Sequence, residues 1–190
     1  MRSLCVAVGL VLASTSALAA DFGIGVSARS DDGWLYVPID ISKTFRIEPS
    51  VRYSSSESTI TQNGRDDTQE TEILELGIGI FGLKKVTDAA HIYYGGRLAY
   101  VDSNGTSLSP GPIGGVISSE TEQDGYRIGP TLGFEYLFGG HFSVGGEASY
   151  TFLDLDGEAR SRYGTSFPST VQVEQKSHGT QTRLIVRYMF

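Results

Sequence analysis

The sequence has very little cysteine and, after its first twenty residues, no long hydrophobic run. Its only cysteine, Cys5, lies close to the amino terminus. With only one cysteine, the chain can form no internal disulfide, so its stability must come from hydrogen bonding and packing. A transmembrane helix needs roughly 20 consecutive apolar residues, and the later sequence offers no such run. These absences exclude a disulfide-stapled domain and a helical membrane protein.

Basic residues are also scarce. The chain has 15 Lys and Arg against 22 Asp and Glu, a formal net charge of −7. This balance argues against nucleic acid as a partner, because nucleic-acid binding needs a basic surface. The sequence contains no phosphate-binding loop, zinc-ligand spacing or nucleotide fingerprint, so we predict no cofactor and no metal.

The first twenty residues have the three-part layout of a secretory signal peptide. A positive start at Met1-Arg2 precedes an uncharged apolar segment from Leu4 to Leu12. Small residues then surround Ala17-Leu18-Ala19, which predicts cleavage after Ala19 or Ala20. We therefore predict a signal peptide over residues 1–20 and one exported domain over residues 21–190.

Alternation of apolar and polar residues is the dominant pattern of the exported part. It occurs in eight segments, at residues 22–29, 34–41, 45–53, 74–80, 92–100, 126–138, 142–152 and 183–190. A period of two predicts strands with one apolar face, and a transmembrane barrel conceals its hydrophobicity in such alternation. The predicted fold class is all-β, an eight-stranded antiparallel up-and-down transmembrane β-barrel.

The polar face of the predicted strands carries arginine and glutamate but no lysine. Its charged members are Arg52, Glu75, Arg97, Arg127, Glu135, Glu147, Arg183 and Arg187. Arginine forms planar bidentate pairs with carboxylates, which suits a confined ion network, and glycines on this face leave room for long side chains in a narrow interior. We predict that these residues form a charge network in the barrel lumen. Its excess of arginine predicts further contacts with water, tyrosines or carbonyls, because a buried charge must be paired.

The connections between the predicted strands alternate in length. Short turns are expected near residues 42–44, 83–90 and 139–140, and long polar loops at 54–70, 102–124 and 154–177, with 30–33 as the one short loop on that side. Short periplasmic turns and long external loops characterise outer-membrane barrels. The external loops are acidic, with Asp66, Asp67, Glu70, Glu120, Glu122 and Asp124.

Aromatic residues gather toward the ends of the predicted strands. Those expected near the periplasmic interface are Phe45, Phe138, Phe142, Tyr188 and Phe190, and those near the external interface are Tyr53, Tyr100, Tyr126, Tyr150 and Phe152. Aromatic side chains favour the two membrane interfaces, so both sets are predicted girdles.

Three prolines fall inside predicted strands, at Pro38, Pro49 and Pro130. Proline cannot donate a ladder hydrogen bond, and a closed barrel has no free edge on which to place it. A bulge or a strand end is therefore expected near each of them.

The last nine residues form an amphipathic strand that ends in phenylalanine. Leu184, Val186, Tyr188 and Phe190 occupy alternate positions. This pattern resembles the carboxyl-terminal signal that the barrel-assembly machinery reads in bacterial outer-membrane proteins. An unpaired last strand could engage an assembly factor by β-augmentation.

Across residues 21–190 the chain resembles the small outer-membrane β-barrel superfamily that includes the transmembrane domain of OmpA and OmpX. Stretches of the kind seen there begin at Tyr93-Tyr94-Gly95, Ile128-Gly129-Pro130 and His141-Phe142-Ser143. The resemblance implies localisation in the bacterial outer membrane. It does not select among structural, adhesive, complement-resistance and enzymatic roles.

Two groups of residues are candidate chemical sites. His141, Ser143 and Glu147 are the residue types that lipid A deacylases use, but that family's flanking pattern is absent and these residues begin a strand at a periplasmic turn. Asp154, Asp156 and Glu158 could offer oxygens to calcium but lack the other ligand positions of a known loop. We therefore predict no catalytic residues and no enzyme activity.

The expected function is a structural or surface-interaction role, adhesin-like, through the long external loops. The alternatives are a narrow porin-like channel, in which the lumen charges line a pore instead of filling it, and a lipid A-modifying hydrolase. The expected partners are outer-membrane lipid, lipopolysaccharide and, during biogenesis, the barrel-assembly machinery. Any external ligand is unidentified, and the chain is expected to be a monomer.

Overall fold

The computed structural model describes residues 21–28, 33–62, 65–111, 115–163 and 169–190, so the predicted signal peptide lies outside it. Nine antiparallel strands account for nearly all of these residues. They are β1 (Asp21–Ala28), β2 (Gly33–Tyr36), β3 (Ile39–Ser42), β4 (Phe45–Gln62), β5 (Arg65–Lys85), β6 (Ala90–Pro110), β7 (Val116–Phe138), β8 (Phe142–Tyr163) and β9 (Ser169–Met189). In the described part of the chain, no helix has the length and apolar character needed to cross a membrane.

The strands close into a ring, because β1 pairs with β9 as well as with β2 and β3. Strands β2 and β3 are two pieces of one barrel strand. Gly25 of β1 pairs with Tyr36 and Phe22 pairs with Ile39, which is one unbroken register along β1. The ring therefore has eight strands connected in chain order, and the predicted fold class is confirmed.

The prolines affect the ladders in three ways. Pro38 lies between β2 and β3 and ends the first of them, as expected for a residue without an amide donor. Pro130 coincides with a gap in the β7–β8 pairing, although it still pairs with Gly96 of β6. The strand end or bulge expected at Pro49 is wrong: β4 continues through it, and its carbonyl accepts the Val37 amide at 2.9 Å.

One end of the barrel, called here the turn end, has only short connections. They follow β3, β5 and β7, as the sequence predicts. The last of them contains Gly139 and Gly140, with φ of 60° and 83°. These left-handed conformations carry little cost for glycine and would strain other residues.

The opposite end, called here the hairpin end, differs from the prediction of long loops. The polar segments at 54–70, 102–124 and 154–177 are largely strand, and they extend β4 through β9 as three long hairpins. Strand β7 alone has 23 residues, about twice the 9–11 that cross a bilayer. The hairpin tips at 63–64, 112–114 and 164–168 lie outside the described residues.

The hairpin end is an open sheet, whereas the turn end is a closed ring. The last described pair between β1 and β9 joins Ala28 to Leu184, and the last between β2 and β4 joins Leu35 to Val51. Beyond these pairs, β4 and β9 have no neighbour on that side among the described residues. The described parts of β4–β9 thus form a six-stranded sheet with two unpaired edges.

The two faces of the ring differ sharply in chemistry. The outward face bears exposed apolar side chains, including Phe22, Ile24, Val26, Leu76, Ile78, Ile80, Leu98, Ile128, Leu132, Phe134 and Leu184. Phe134 is 61% exposed. The inward face buries arginine and glutamate side chains together with a few aromatic and aliphatic ones. A water-soluble sheet would show the reverse arrangement, so this surface suits a hydrocarbon environment.

Candidate functional site

The lumen contains a group of four arginines and four carboxylates near the turn end, called here the turn-end cluster. Its members are Asp40, Arg46, Glu48, Arg97, Glu135, Glu147, Arg183 and Arg187. They come from six different strands, because alternate residues of every barrel strand point inward. Equal numbers of opposite charges meet in a space from which most water is excluded.

Glu48 lies at the centre of the turn-end cluster and is fully buried. One of its oxygens accepts from Arg97 Nη2 at 2.6 Å, and the other accepts from Arg187 Nε at 2.8 Å. Both oxygens of a buried carboxylate are therefore satisfied by guanidinium donors. Such an arrangement meets the requirement that a charge taken out of water be paired.

Glu135 joins Arg187 to Arg46 on the opposite wall. Arg46 donates to both Glu135 oxygens at 3.0 Å, in a bidentate pair, and Arg187 donates to one of them at 3.0 Å. Arg46 also donates to Asp40 at 2.5 Å. These contacts link β3, β4, β7 and β9 across the lumen near the short turns.

Glu147 is the third buried carboxylate of this cluster. Arg97 donates to its two oxygens at 2.9 and 2.7 Å, and Tyr93 donates its hydroxyl proton at 3.3 Å. Arg183 lies 3.4 Å from the same carboxylate. Glu147 thus connects β6, β8 and β9, and together with Glu48 it holds Arg97 across the middle of the lumen.

A second group, the hairpin-end cluster, consists of Arg52, Glu75 and Arg127. One oxygen of the fully buried Glu75 lies 3.0 Å from the Nη2 atoms of both arginines. The three residues come from β4, β5 and β7 and lie at the level where the closed ring opens into the sheet. The lumen therefore contains buried ion pairs at two levels.

Aromatic rings fill the space around the guanidinium groups. Arg97 lies over Tyr36 and Phe81, at 4.7 and 4.8 Å from the ring centroids, and Arg187 lies 5.1 Å from Tyr93. These distances are within the range of cation–π attraction. The Tyr36 hydroxyl also accepts from Arg183 at 2.5 Å. The expectation that tyrosines would accompany the arginines matches this geometry.

The structure places all eight charged residues predicted from the sequence inside the lumen. It adds Asp40, Arg46 and Glu48, which the sequence analysis did not include among them. The signal for two of these was present, because Arg46 and Glu48 alternate with Arg52 and share its face. Trp34 and Tyr36 were likewise on the polar face of their segment, and both line the lumen.

The filled lumen has little free space at either level. Arg187, Tyr36, Tyr93, Phe81, Glu48 and Glu75 all have less than 2% of their surface exposed. A cavity at the hairpin-end cluster has a volume of about 10 Å³, about the space of one water molecule. The two clusters can act as a plug that ties opposite walls of the barrel together.

The predicted assembly signal lies on the outward face of the ring. Leu184, Tyr188 and Phe190 are exposed there, and Val186 pairs with Val26 of β1. The Phe190 amide donates to the Phe22 carbonyl at 2.8 Å, and their rings are 5.2 Å apart. This segment therefore makes the last strand-to-strand contact that closes the ring.

The triad candidates do not assemble. His141 is hydrogen-bonded to the Met189 carbonyl at 3.0 Å and its ring stacks on Tyr188, which points outward. Ser143 is buried in the lumen. Glu147 is engaged by arginines and Tyr93, as described above. The geometry needed for a hydroxyl nucleophile and its histidine base is absent among these three residues.

The acidic candidates lie on the outward face of the long hairpins. Ligand oxygens of Asp154 and Asp156 lie near those of Glu174, whereas Glu158 accepts hydrogen bonds from Gln172 and Arg160, which lower its pKa. Lys176 contacts Glu174 and lies 3.8 Å from Asp154, so a lysine already accompanies this group.

The comparisons with known proteins agree with this architecture. A crystal structure of a major outer membrane protein from Thermus thermophilus superposes with a TM-score of 0.70 at 12% identity, covering 90% of this chain and 100% of that one. The outer membrane protein OprG from Pseudomonas aeruginosa gives 0.57 at 12% identity, covering 90% and 94%. This chain has the fold of the outer-membrane β-barrels.

The same fold occurs with different functions. The outer membrane protease OmpT from Escherichia coli superposes with a TM-score of 0.53 at 12% identity, covering 84% of this chain and 63% of that protein. No protein-family model matches the chain, and no curated protein sequence does. At such identities the similarity shows the fold alone.

Proposed function

We propose that the protein is an integral protein of the bacterial outer membrane whose long hairpins form an external surface for interaction. The outward apolar face supports the membrane part of this proposal. From Phe142 to Phe152 along β8 there are ten residue steps, about 33 Å at 3.3 Å each. A tilt near 45° reduces this to a height of roughly 23 Å, close to the apolar band of known barrels.

Aromatic rings at both limits of the band agree with this position. At the hairpin end, Tyr100 and Tyr126 lie 5.8 Å apart, and Tyr150 and Phe152 lie 5.2 Å apart. At the turn end the corresponding contacts involve Phe138, Phe142, Tyr188 and Phe190. In this orientation the short turns face the periplasm and the hairpins face outside. Outer-membrane lipid and lipopolysaccharide then surround the apolar band. During biogenesis the assembly machinery acts on the last strand.

The observation that carries the surface role is the extension of β4–β9 beyond the aromatic girdle. The outer parts of β4 and β9 are exposed and lack a strand neighbour on one side among the described residues. Unpaired strand edges can accept an added strand from another protein. A barrel with no role outside the membrane would not need paired strands that extend so far beyond the bilayer.

The plug makes a channel the weaker alternative, since buried ion pairs fill the lumen at two levels. A lipid A-modifying hydrolase is also less well supported than the surface role, because His141, Ser143 and Glu147 do not form a catalytic triad. We therefore propose a non-enzymatic protein that acts through its surface. The fold does not distinguish enzymes from non-enzymes, since OmpT has a similar fold and is a protease, so experiment must decide.

The test compares the full barrel with barrels whose external hairpins are shortened. In one variant Asn-Gly replaces residues 104–122, and in another it replaces residues 156–174, joining strands that are already in register. Each is returned to a strain that lacks the protein. We expect shortened barrels to restore resistance to detergents but to lose cell binding and serum survival.

A matched control removes charge from the hairpins without shortening them, through Glu158→Gln. Full surface binding by the shortened barrels, combined with a weakened envelope, would contradict the surface role and favour a purely structural one. Lipid A from the deletion strain, analysed by mass spectrometry, tests the hydrolase alternative. An altered acylation pattern that the full barrel reverses would contradict a non-enzymatic protein.

A further inference from the structure

The outer part of β4 has an unpaired backbone edge. The Thr44 carbonyl accepts the Leu83 amide of β5, whereas the Pro49 carbonyl accepts the Val37 amide on the opposite side of the strand. Backbone groups of successive residues thus alternate between the two neighbours, and the β4–β5 register continues without a shift to the end of β4. Beyond Val51, the odd-numbered residues therefore direct their N–H and C=O groups toward a side on which the described residues supply no partner.

This edge lacks the features that protect most exposed strands. Natural edge strands carry lysine, proline or a bulge, which hinder pairing with another chain. Residues 54–62 of β4 contain no lysine, arginine or proline, and their only charge is Glu57. The open edge of β9, in contrast, includes Lys176, which contacts Glu174 and lies 3.8 Å from Asp154. Of the two open edges, β4 is the one whose sequence offers no obstacle to an added strand.

The outward face beside this edge is acidic. Tyr53 donates its hydroxyl proton to Glu72 at 3.1 Å, so odd-numbered residues of β4 and even-numbered residues of β5 share that face. Glu57 and Glu70 lie directly opposite each other on it, and both are exposed. Like charges at opposed positions repel each other. None of the described lysines or arginines forms an ion pair with either residue, so a basic side chain from outside would relieve the repulsion.

A strand added to β4 would present alternate side chains to the two faces of the sheet. Those on the outward face would lie beside Glu57, Glu70 and Glu72. Those on the inward face would lie beside Ile60, which is 64% exposed. A matching segment therefore has basic residues at every second position and β-branched residues, which favour strands, between them.

We propose that the outer edge of β4 binds, by strand addition, an extended segment of a partner protein in which lysine or arginine alternates with β-branched residues. This inference rests on the surface role proposed above and adds the chemistry of the partner. Backbone hydrogen bonds to the edge supply affinity in this mode, and the alternate side chains supply specificity. The same edge of a second copy fits less well, because it would place one acidic face beside another.

The probe is a fluorescent peptide, as long as residues 54–62, in which lysine alternates with valine and threonine. It is titrated with the full barrel in micelles of an uncharged detergent and followed by fluorescence anisotropy. We expect saturable binding that weakens as salt is added, because exposed charge pairs are screened. The same peptide with N-methylated amides keeps its charge but cannot donate to the β4 edge, so we expect no saturable binding.

Two matched proline variants locate the bound peptide. Thr59→Pro removes an amide that faces the open edge but none that bonds to β5, and Pro49 already occupies such a position without interrupting the β4–β5 ladder. We expect it to abolish saturable binding. Thr170→Pro makes the equivalent change on the open edge of β9, where even-numbered residues face away from β8. It should leave binding unchanged.

A second pair of variants tests the charge. Glu57→Gln combined with Glu70→Gln removes the two opposed carboxylates, and we expect the peptide to bind about three- to tenfold more weakly, because each cross-strand ion pair contributes modestly. Glu158→Gln removes an exposed carboxylate from β8, away from the β4 edge, and should not change the affinity.

Equal affinity in the unmodified protein and in Thr59→Pro would overturn the proposal, and so would equal affinity for the N-methylated peptide, because charge alone would then hold the peptide. If Thr59→Pro does not fold, the N-methylated peptide decides. A barrel that binds no basic peptide but self-associates through the edge that Thr59→Pro blocks would contradict the proposal in favour of a second copy. Loss of cell binding in the shortened barrels, without any peptide binding, would reject the basic partner and leave the surface role intact.

Discussion

Glu48 is the residue on which the turn-end cluster depends most. It accepts from Arg97 and Arg187 and is fully buried. Replacing it by glutamine removes the charge but keeps the shape, so two guanidinium groups lose a buried counter-charge. We expect Glu48→Gln to destabilise the barrel by about 3–5 kcal/mol, measured as a lower midpoint of urea unfolding in micelles.

The control for this variant is Glu158→Gln, which removes a carboxylate from an exposed position on the long hairpins. Exposed ion pairs contribute little to stability, so its midpoint should match that of the unmodified protein. Equal midpoints for the two variants would show that the buried pairs are not what ties the walls together.

Gly133 provides a second test at the residue scale, of packing instead of charge. A Cβ at this position would overlap the ring of Tyr93, which donates its hydroxyl proton to Glu147. We expect Gly133→Ala to cost about 1–3 kcal/mol through overpacking. Gly179 has no heavy atom within 4 Å of an added Cβ, so Gly179→Ala should change the unfolding midpoint far less; a similar loss in both would contradict this packing.

The sequence predicts the lumen face well and its contacts poorly. Alternation indicates which residues point inward, because the side-chain period of a strand is two. It does not fix how far each strand is shifted against its neighbours, so it cannot show that Arg97 of β6 meets Glu48 of β4. Asp40 lies beyond Pro38 in a piece of strand whose register depends on pairing with β1 and β4, which a single sequence does not show.

At the scale of elements, the closed ring should be stable without the outer parts of the long hairpins. The charged plug and the aromatic girdles lie below the segments at 104–122 and 156–174, and none of the plug residues comes from them. We therefore expect barrels shortened at these segments to keep the free energy of unfolding of the full protein to within about 1 kcal/mol, because changes away from packed sites cost little. The measurement is unfolding in micelles, with heat-dependent gel mobility as a check of folding.

A large drop in midpoint for either shortened barrel would contradict this separation. It would mean that the outer sheet and the ring unfold as one cooperative unit. The Glu48→Gln change provides the comparison in both backgrounds, because its cost should be the same with and without the long hairpins if the two parts are independent.

The outer halves of the strands were predicted as loops for a physical reason. Within the membrane one face must be apolar, so alternation marks each strand. Outside it both faces contact water, the segments become rich in Ser, Thr, Gln and acidic residues, and the hydrophobic period is lost. Hairpin pairing such as Ser55 with Glu72 continues there through backbone hydrogen bonds, which leave no hydrophobic pattern in the sequence.

At the scale of the whole molecule, the two clusters predict a closed lumen. Reconstituted in planar bilayers, the protein should show no discrete conductance steps, because buried arginines and carboxylates fill the interior at two levels. Stable, ion-selective steps would contradict the plug and favour the channel alternative. An unrelated, open porin prepared in the same way supplies the positive control.

The central claim is that the ring crosses a membrane with its apolar face in lipid and its charged face inside. Single cysteines placed along β8, at outward positions 142, 144, 146, 148, 150 and 152 and at inward positions 143, 149 and 151, allow nitroxide labels to be attached one at a time. We predict that, in lipid vesicles, outward labels are accessible to oxygen and shielded from a water-soluble nickel complex, most strongly at 146 and 148, while inward labels are shielded from both. Ready access of the nickel complex to the outward labels, or no alternation in oxygen access between the two faces, would contradict the transmembrane barrel.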